Sequence, residues 1–249
     1  MDGKLRANEI IAYFKDKPFT ADELYQFYTD EEPELKETTF RWRVYSLNNN
    51  GIINTIKKGV YATEHKNDFE PEITRSLARL FSRVKKNFPY ADMAIWETSW
   101  LKNHMLHQTI GSDTILEIER DVAPAVFAYL QKSQKDVYLN PGQLEMENYI
   151  MPGRSNIIVK NLTVTSPLIE RDGVIAPRIE KVMIDLFVEK DLFLTYQGAE
   201  LQNMYREFFE TYNINRSTLG QYANKRHVKK RFITFLKKKA NIHEEDLLM

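Results

Sequence analysis

The chain has 249 residues, of which 43% are hydrophobic and 12% aromatic, and its formal net charge is zero. This composition can form a folded core and excludes a wholly disordered chain. The absence of cysteine excludes disulfides and thiolate metal sites and favours a cytoplasmic protein. We expect no signal peptide and no membrane association, because the sequence contains neither an apolar h-region at its start nor an apolar run of about 18 residues.

The balanced net charge hides two basic stretches. Residues 216–240 contain nine lysines and arginines and no acid, and residues 36–66 contain six basic and two acidic residues. Residues 1–35, in contrast, carry four basic and nine acidic residues. Local basic surfaces on a neutral protein indicate a polyanionic partner, although two solvated helix faces would give the same counts.

The N-terminal residues predict three helices. Helical spacing of apolar side chains indicates helices over 4–16, from Thr20 to about residue 28, and from residue 36 to about residue 50. Thr20 and Glu23 have the spacing of a capping box, which should begin the second helix. Asparagines 48–50 and Gly51 should end the third helix, because Asn and Gly tolerate the left-handed conformation.

A β-hairpin is predicted directly after the third helix. Its strands are expected at 52–56 and 59–63, with Lys57, Lys58 and Gly59 in the turn. Three helices followed by a hairpin is the order of a winged helix-turn-helix domain, which we assign to residues 1–66.

In DNA-binding domains of this kind, the third helix enters the major groove and the hairpin, or wing, reaches the flanking backbone. The polar side chains expected on that helix are Lys36, Thr38, Thr39, Arg41, Trp42 and Arg43. Arginine can bond guanine in a bidentate manner, and threonine can contact a base or a phosphate. Lys57 and Lys58 would neutralise phosphates without reading sequence. A winged helix used only for protein contacts is the alternative.

The remaining residues, 67–249, predict a mixed α/β domain with a helical C-terminal part, so that the fold class is α/β or α+β. We place the domain boundary in the polar segment 64–72. Strands are expected at 91–97, 114–120, 136–140 and 156–162, the last continuing through 163–167. Helices are expected at 72–87, 99–105 with Ser99 as its cap, 123–132, 176–190, 198–212 and 216–239.

Catalytic motifs are missing from the sequence. It contains no phosphate-binding glycine loop, nucleophile elbow or zinc-protease motif, and we predict no enzyme activity, no cofactor and no metal. His104 and His107 could share a metal, but packing or solvent contact is the expected role. Glu117 and Glu119 raise the alternative of a metal-dependent nuclease. Such a site also needs a lysine two residues after an acid, and this lysine is absent here. The two glutamates are therefore expected to face solvent.

Two segments resemble the AbiEi-type antitoxins. The stretch RWRVYSLNNNGIINTIKKGVYAT (41–63) is similar to the winged helix of that family. The stretch NIIVKNLTVTSPLIERDGVIAPRIEKVMIDLFVEK (156–190) is similar to its C-terminal domain, in which a helix near Pro177 carries Glu180, Lys181 and Asp185.

The resemblance implies a transcriptional autorepressor that binds its own promoter as double-stranded DNA. It also implies the antitoxin role of a type IV toxin–antitoxin system in phage defence. The functional partner would be a nucleotidyltransferase toxin, countered without a stable complex.

The basic C-terminal helix departs from the family pattern. Four of its cations are further candidates for DNA contact: Lys225, Arg226, Lys229 and Lys230. A solvated helix face, or contact with RNA or the toxin, are the alternatives for this helix.

Overall fold

The structure is a computed structural model that describes residues 5–15, 17–50, 52–63, 67–107, 111–148, 150 and 155–242. The described residues fall into two compact units, one that ends at Asn67 and one that spans Asp68–Ile242. Both mix helices and strands, so the fold class is α+β. Within the described ranges, no helix is long and apolar enough to cross a membrane.

The N-terminal unit has the element order of a winged helix-turn-helix domain. Its helices are α1 (Ala7–Phe14), α2 (Ala21–Thr29) and α3 (Glu37–Asn49), and its strands are β1 (Phe19–Thr20), β2 (Asn54–Lys57) and β3 (Val60–Ala62). The three strands form an antiparallel sheet in the order β1-β3-β2. Gly51, predicted to help end α3, lies outside the described residues.

Local signals explain the start of α2 and the turn of the wing. The Thr20 hydroxyl accepts a hydrogen bond from the Glu23 amide, and the Glu23 carboxylate accepts one from the Thr20 amide, which is the predicted capping box. Gly59, in the turn between β2 and β3, has a φ of +77°, a conformation that glycine adopts without steric cost. Phe19, Leu24, Phe40 and Leu47 pack among the buried side chains of this unit.

The second unit is built on a four-stranded sheet in the order β4-β5-β7-β6. Its strands are β4 (Met93–Glu97), β5 (Thr114–Ile118), β6 (Val137–Leu139) and β7 (Ile157–Asn161). Strand β4 is antiparallel to β5, whereas β5, β7 and β6 are parallel to one another. This unit also contains three helices, α4 (Arg75–Asn87), α5 (Ala123–Gln131) and α6 (Gln143–Asn148), and a 3₁₀ helix over Thr98–His104.

Alternation along the strands assigns the two faces of this sheet. Leu116 and Ile118 of β5 lie in one core cluster with Leu77 of α4 and Val126 of α5. The intervening residue Glu117 therefore points to the opposite face, where the parallel register sets it beside Lys160. This pairing of two charged residues on neighbouring strands positions the charged cluster described below.

Four helices complete the second unit. They are α7 (Ile179–Val188), α8 (Ala199–Thr211), α9 (Arg216–Lys225) and α10 (Lys229–Lys238). Every residue of α7 from Ile179 to Phe187 is buried, so this helix is enclosed on all sides. Phe232 of α10 packs against Phe187 and against Tyr205 of α8, with ring centroids 5.2 Å and 5.7 Å apart.

Several predicted elements of the second unit were wrong. Residues 163–167 do not continue β7; a separate hairpin follows, formed by β8 (Leu168–Arg171) and β9 (Val174–Pro177). Its turn, Asp172 and Gly173, has φ values of +51° and +75°, as a type I′ turn requires. Ser99 does not cap a helix, because the 3₁₀ helix begins at Thr98 and Glu97 precedes it. Helix α6 was not predicted.

The predicted helix over 216–239 is two helices, because α9 ends at Lys225 and α10 begins at Lys229, with His227 between them. This residue has a φ of +56°. The Val228 amide donates to the Ala223 carbonyl, and the His227 amide donates to the Asn224 carbonyl. These two bonds form the Schellman motif that ends many helices, here with histidine in the position that glycine usually takes.

Candidate nucleic-acid interface

Helix α3 presents one buried and one exposed face. Phe40, Arg43 and Leu47, spaced three and four residues apart, are its buried residues. Five of the six predicted contact residues on or beside this helix are exposed: Lys36, Thr38, Thr39, Arg41 and Trp42. Trp42 and Tyr45, one turn apart, expose 54% and 66% of their surface, which is unusual for large aromatic residues.

Arg41 is available to a ligand although it forms an ion pair. Its guanidinium lies 2.6 Å from the Glu37 carboxylate one turn away, and about three quarters of each side chain is exposed (75% and 73%). An exposed pair at this spacing contributes roughly 0.3–0.5 kcal/mol to stability. A nucleic acid can therefore recruit Arg41 at little cost.

Arg43 does not belong to the exposed face, which corrects its assignment as a contact residue. It is only 5% exposed, and its two terminal nitrogens donate to the two Glu32 carboxylate oxygens at 2.9 and 2.8 Å. Its guanidinium carbon lies 4.6 Å from the centroid of the Tyr28 ring. The helical spacing that puts Arg43 between Phe40 and Leu47 turns it inward, where it joins α3 to Glu32 and to α2.

The wing carries two exposed lysines on an anchored hairpin. Lys57 and Lys58 are exposed at its tip. The Thr55 hydroxyl donates to the Asn48 side chain at 2.9 Å, which fixes the hairpin to the end of α3. The Ala21 amide donates to the Gly59 carbonyl at 2.8 Å, which fixes the turn to the start of α2. The wing lysines are thus held in a defined position relative to α3.

Internal ion pairs account for part of the acidic excess in this unit. Glu9 and Glu31 both contact the Arg6 guanidinium, at 2.6 and 2.8 Å, and Glu32 contacts Arg43. The Glu9 bond is the largest influence on Arg6 and raises its pKa. Each of these three carboxylates has an arginine partner, and the two arginines balance two of the three negative charges.

The second unit carries a separate basic surface on α9 and α10. Lys225 and Lys230 are exposed, and Lys229 is half-buried. Arg226 again corrects the prediction, because its guanidinium points inward and contacts Asp185 and Glu189. The four candidate residues of this segment therefore divide into three surface lysines and one arginine of an internal cluster.

That internal cluster is the feature that the sequence did not reveal. We define the charged cluster as three acids and three bases on the sheet and on the C-terminal helices: Glu117, Lys160, Lys181, Asp185, Glu189 and Arg226. The Lys181 ammonium donates to both Glu117 carboxylate oxygens at 2.8 and 2.7 Å and also contacts Asp185. The Lys160 ammonium lies 2.6 Å from Glu189 and 3.8 Å from both other carboxylates. The cluster is electrically neutral, as its burial demands.

The cluster shifts the pKa values of four of its members, Lys160, Lys181, Asp185 and Arg226. Burial alone would raise the pKa of Asp185, but the charges of Lys181, Lys160 and Arg226 outweigh it and lower this pKa to about 2. Burial opposes the charge of Lys181, yet the neighbouring Asp185 and Glu117 raise its pKa well above the usual range. All three cations and Asp185 are therefore charged at neutral pH.

The expectation of solvent-facing acids on β5 was wrong for Glu117 and correct for Glu119. Glu117 has no exposed surface, whereas Glu119 follows the end of β5 and is exposed. The two carboxylates consequently do not form the paired acid site of the nuclease alternative. Both oxygens of Glu117 accept hydrogen bonds from the Lys181 ammonium.

The two histidines considered for a metal have separate partners. His104 is buried, and its Nε2 lies 2.9 Å from the Tyr212 hydroxyl. His107 is exposed, and its Nδ1 lies 2.7 Å from the Glu200 carboxylate. Among the residues that the structure describes, no group of three or more acids and histidines could hold a metal ion.

Comparison with known proteins gives one family. The sequence model of a family of unknown function, DUF6577, matches residues 39–242. The match runs from within α3 through the wing to the end of the second unit, well over half of the chain. No curated protein matches the sequence.

Proposed function

Because the chain belongs to DUF6577, a family of unknown function, we infer its role from its own residues, and we propose that it is a DNA-binding transcriptional autorepressor. Its ligand is the double-stranded DNA of its own promoter. The observation that carries the proposal is the exposed face of α3 with the lysine wing beside it, on a winged helix-turn-helix frame. In this frame α3 enters the major groove and the wing contacts the backbone.

The chemistry of the exposed α3 residues suits base recognition. Arg41 can form two bonds with O6 and N7 of a guanine, a contact that discriminates against other bases by about 1–3 kcal/mol. Thr38 and Thr39 near the start of the helix offer hydroxyls for a phosphate or a base edge. Trp42 offers an apolar surface for a thymine methyl group. Lys36, at the N-cap position of the helix, can pair with a phosphate.

The wing supplies binding strength that does not depend on sequence. Each phosphate that a lysine neutralises releases counterions, so that binding weakens as salt rises. Lys57 and Lys58 lie at the tip of the hairpin, where both ammonium groups can reach one strand of the backbone. The three surface lysines of α9 and α10 (Lys225, Lys229 and Lys230) are candidates for further phosphate contacts.

The biological setting of the proposal rests on the resemblance to AbiEi-type antitoxins. On that basis the protein is the antitoxin of a type IV toxin–antitoxin system, and it acts in phage defence. Its functional partner is a nucleotidyltransferase toxin, which it counters without a stable complex. The α3 face and the wing support DNA binding, and the promoter shared with a toxin gene rests on the resemblance alone.

A protein-interaction adaptor is the second candidate, and one observation favours it. Trp42 and Tyr45 are exposed together on α3, and exposed aromatic pairs are enriched where proteins bind one another. In an adaptor the α3 face would contact a protein. DNA binding by that face would then be weak and insensitive to sequence.

Matched substitutions separate the two candidates. Fluorescence anisotropy would measure the Kd for DNA upstream of the gene and for unrelated DNA of the same length. Arg41→Ala should reduce discrimination between the two DNAs, by about 1–3 kcal/mol if Arg41 reads a base. Lys57→Ala should weaken binding to both DNAs about equally. Lys17→Ala, an exposed lysine outside α3 and the wing, is the control and should change neither value.

The outcomes distinguish the candidates clearly. Loss of discrimination in Arg41→Ala, with the Lys17→Ala control unchanged, supports DNA recognition by α3. No binding of either DNA at low salt would contradict the proposal and favour the adaptor.

A further inference from the structure

A polar cavity opens at the carboxyl ends of the parallel strands β6 and β7, beside the charged cluster. Its volume is about 580 Å³, within the range typical of small-molecule sites. Asn140 and Asn161, which follow or end these strands, form one side of it, and the ends of α7 and α9 with part of α10 form the other. The carboxyl ends of parallel strands are where ligands bind in open sheets of this kind.

The cavity is lined by more bases than acids. Six charged residues contribute to its walls: Lys160, Glu189, Lys190, Asp191, Arg226 and Arg231. Lys160 and Arg226 belong to the charged cluster and are only 8% and 15% exposed as side chains. Lys190 and Arg231 are exposed and make no ion pair within the described part of the chain. The lining thus carries an excess of positive charge.

Glu189 occupies the position that an anion would take. Its two carboxylate oxygens lie 2.6 Å from the Lys160 ammonium and 3.0 Å from the Arg226 guanidinium. It is the most exposed carboxylate of the cluster, 19% against 2% or less for Glu117 and Asp185. It also follows the C-terminal end of α7, where the helix dipole disfavours a negative charge.

Electroneutrality explains why an anion would replace Glu189. If the Glu189 side chain turns toward solvent, Lys160, Lys181 and Arg226 face only Glu117 and Asp185. An uncompensated buried charge is costly, so an incoming anion is stabilised by the same two cations that hold Glu189. A phosphate group suits this place, because arginine and lysine bind phosphate oxygens with charge-assisted hydrogen bonds.

We propose that this cavity binds the phosphate group of a small molecule, with Lys160, Arg226 and Arg231 as its ligands and with Glu189 as the internal group that the phosphate displaces. The site goes beyond DNA recognition by α3 and stands independently of it. Free phosphate and a nucleotide share this chemistry, and the experiment separates them.

Isothermal titration of the full chain with inorganic phosphate, and separately with adenosine monophosphate, tests the site. Glu189→Gln removes the competing charge and should tighten binding by about tenfold, the change that 1.4 kcal/mol produces. Arg231→Gln removes one charge-assisted contact and should weaken binding by about tenfold. Lys238→Gln, an exposed cation on α10 outside the cavity, is the matched control and should leave binding unchanged.

The results decide between a specific site and a general basic surface. Opposite effects of the Glu189 and Arg231 substitutions support the proposal, and the stronger of the two ligands identifies its source. Absence of binding to both ligands in the wild type and in Glu189→Gln would overturn it. Equal weakening by Arg231→Gln and Lys238→Gln would also overturn it. If circular dichroism shows that Glu189→Gln is unfolded, the wild type and the other two variants decide.

Discussion

Replacement of Lys181 by methionine should lower the free energy of unfolding by about 3–5 kcal/mol, the usual cost of breaking a buried ion pair from one side. Lys181 has no exposed surface, and its ammonium group contacts Glu117 and Asp185. Methionine keeps most of the side-chain volume, so the loss comes from charge and not from a cavity. Three carboxylates, Glu117, Asp185 and Glu189, would then share the two remaining cations of the cluster.

The magnitude follows from the geometry. At 2.7 Å and an effective dielectric constant of about 20, the attraction between Lys181 and Glu117 is roughly 6 kcal/mol. Burial of the ammonium group opposes this attraction by several kcal/mol. Lys160 remains 3.8 Å from both carboxylates and compensates part of the loss, which favours the lower end of the range.

A second substitution tests the reasoning more sharply than the first alone. Glu117→Gln in the Lys181→Met background restores electroneutrality, because Lys160 and Arg226 then face Asp185 and Glu189. The double variant should therefore be more stable than Lys181→Met. Urea unfolding followed by far-ultraviolet circular dichroism gives both values. A loss below about 1 kcal/mol in Lys181→Met, or a double variant less stable than the single one, would refute the charge argument.

Three further predictions concern stability. Arg43→Ala should destabilise the protein by about 2 kcal/mol, because the substitution removes the bidentate pair with Glu32 and the contact with Tyr28. Thermal unfolding would measure this loss, and an unchanged Tm would contradict the prediction. The pKa of Asp185 is lowered to about 2. The ionised carboxylate therefore contributes about 2 kcal/mol to the free energy of unfolding above pH 4, and this contribution is lost as pH falls toward 2. Equal urea midpoints at pH 5 and pH 2.5 would contradict this prediction. Burial raises the pKa of Tyr28 to about 12, so the protonated hydroxyl stabilises the fold below pH 10, and this contribution should disappear between pH 10 and 12. Tyr28→Phe should reduce the pH dependence of stability in urea titrations. An unaltered pH dependence in this variant would contradict the prediction.

The elements that the sequence predicted well are those with local signals. Thr20 and Glu23 form the capping box because the two residues lie within one turn and need no distant partner. The hairpin at 168–177 also has a local signal, Asp172–Gly173 between two apolar runs, although the predicted strand at 156–167 stops before it. The helix end at His227 has no such signal, because a histidine occupies the position in which a glycine would have indicated a helix end.

The candidate contact residues show where sequence reasoning stops. The inward position of Arg43 could have been deduced from its spacing to Phe40 and Leu47, the same rule that predicted the helix. The inward position of Arg226 could not, because its partners Asp185 and Glu189 lie on another helix. Likewise, Glu117 and Lys160 meet only through the register of two parallel strands, which a single sequence does not specify.

The affinity ratio between DNA upstream of the gene and unrelated DNA of equal length tests the proposed function most directly. If α3 reads DNA, the ratio should be at least about 10³ at physiological salt, and the Kd for both DNAs should rise steeply with salt. The Lys57→Ala/Lys58→Ala variant should keep the ratio and reduce the salt slope by about 2. Equal affinity for the two DNAs, or no binding at low salt, would contradict the proposal that α3 reads DNA.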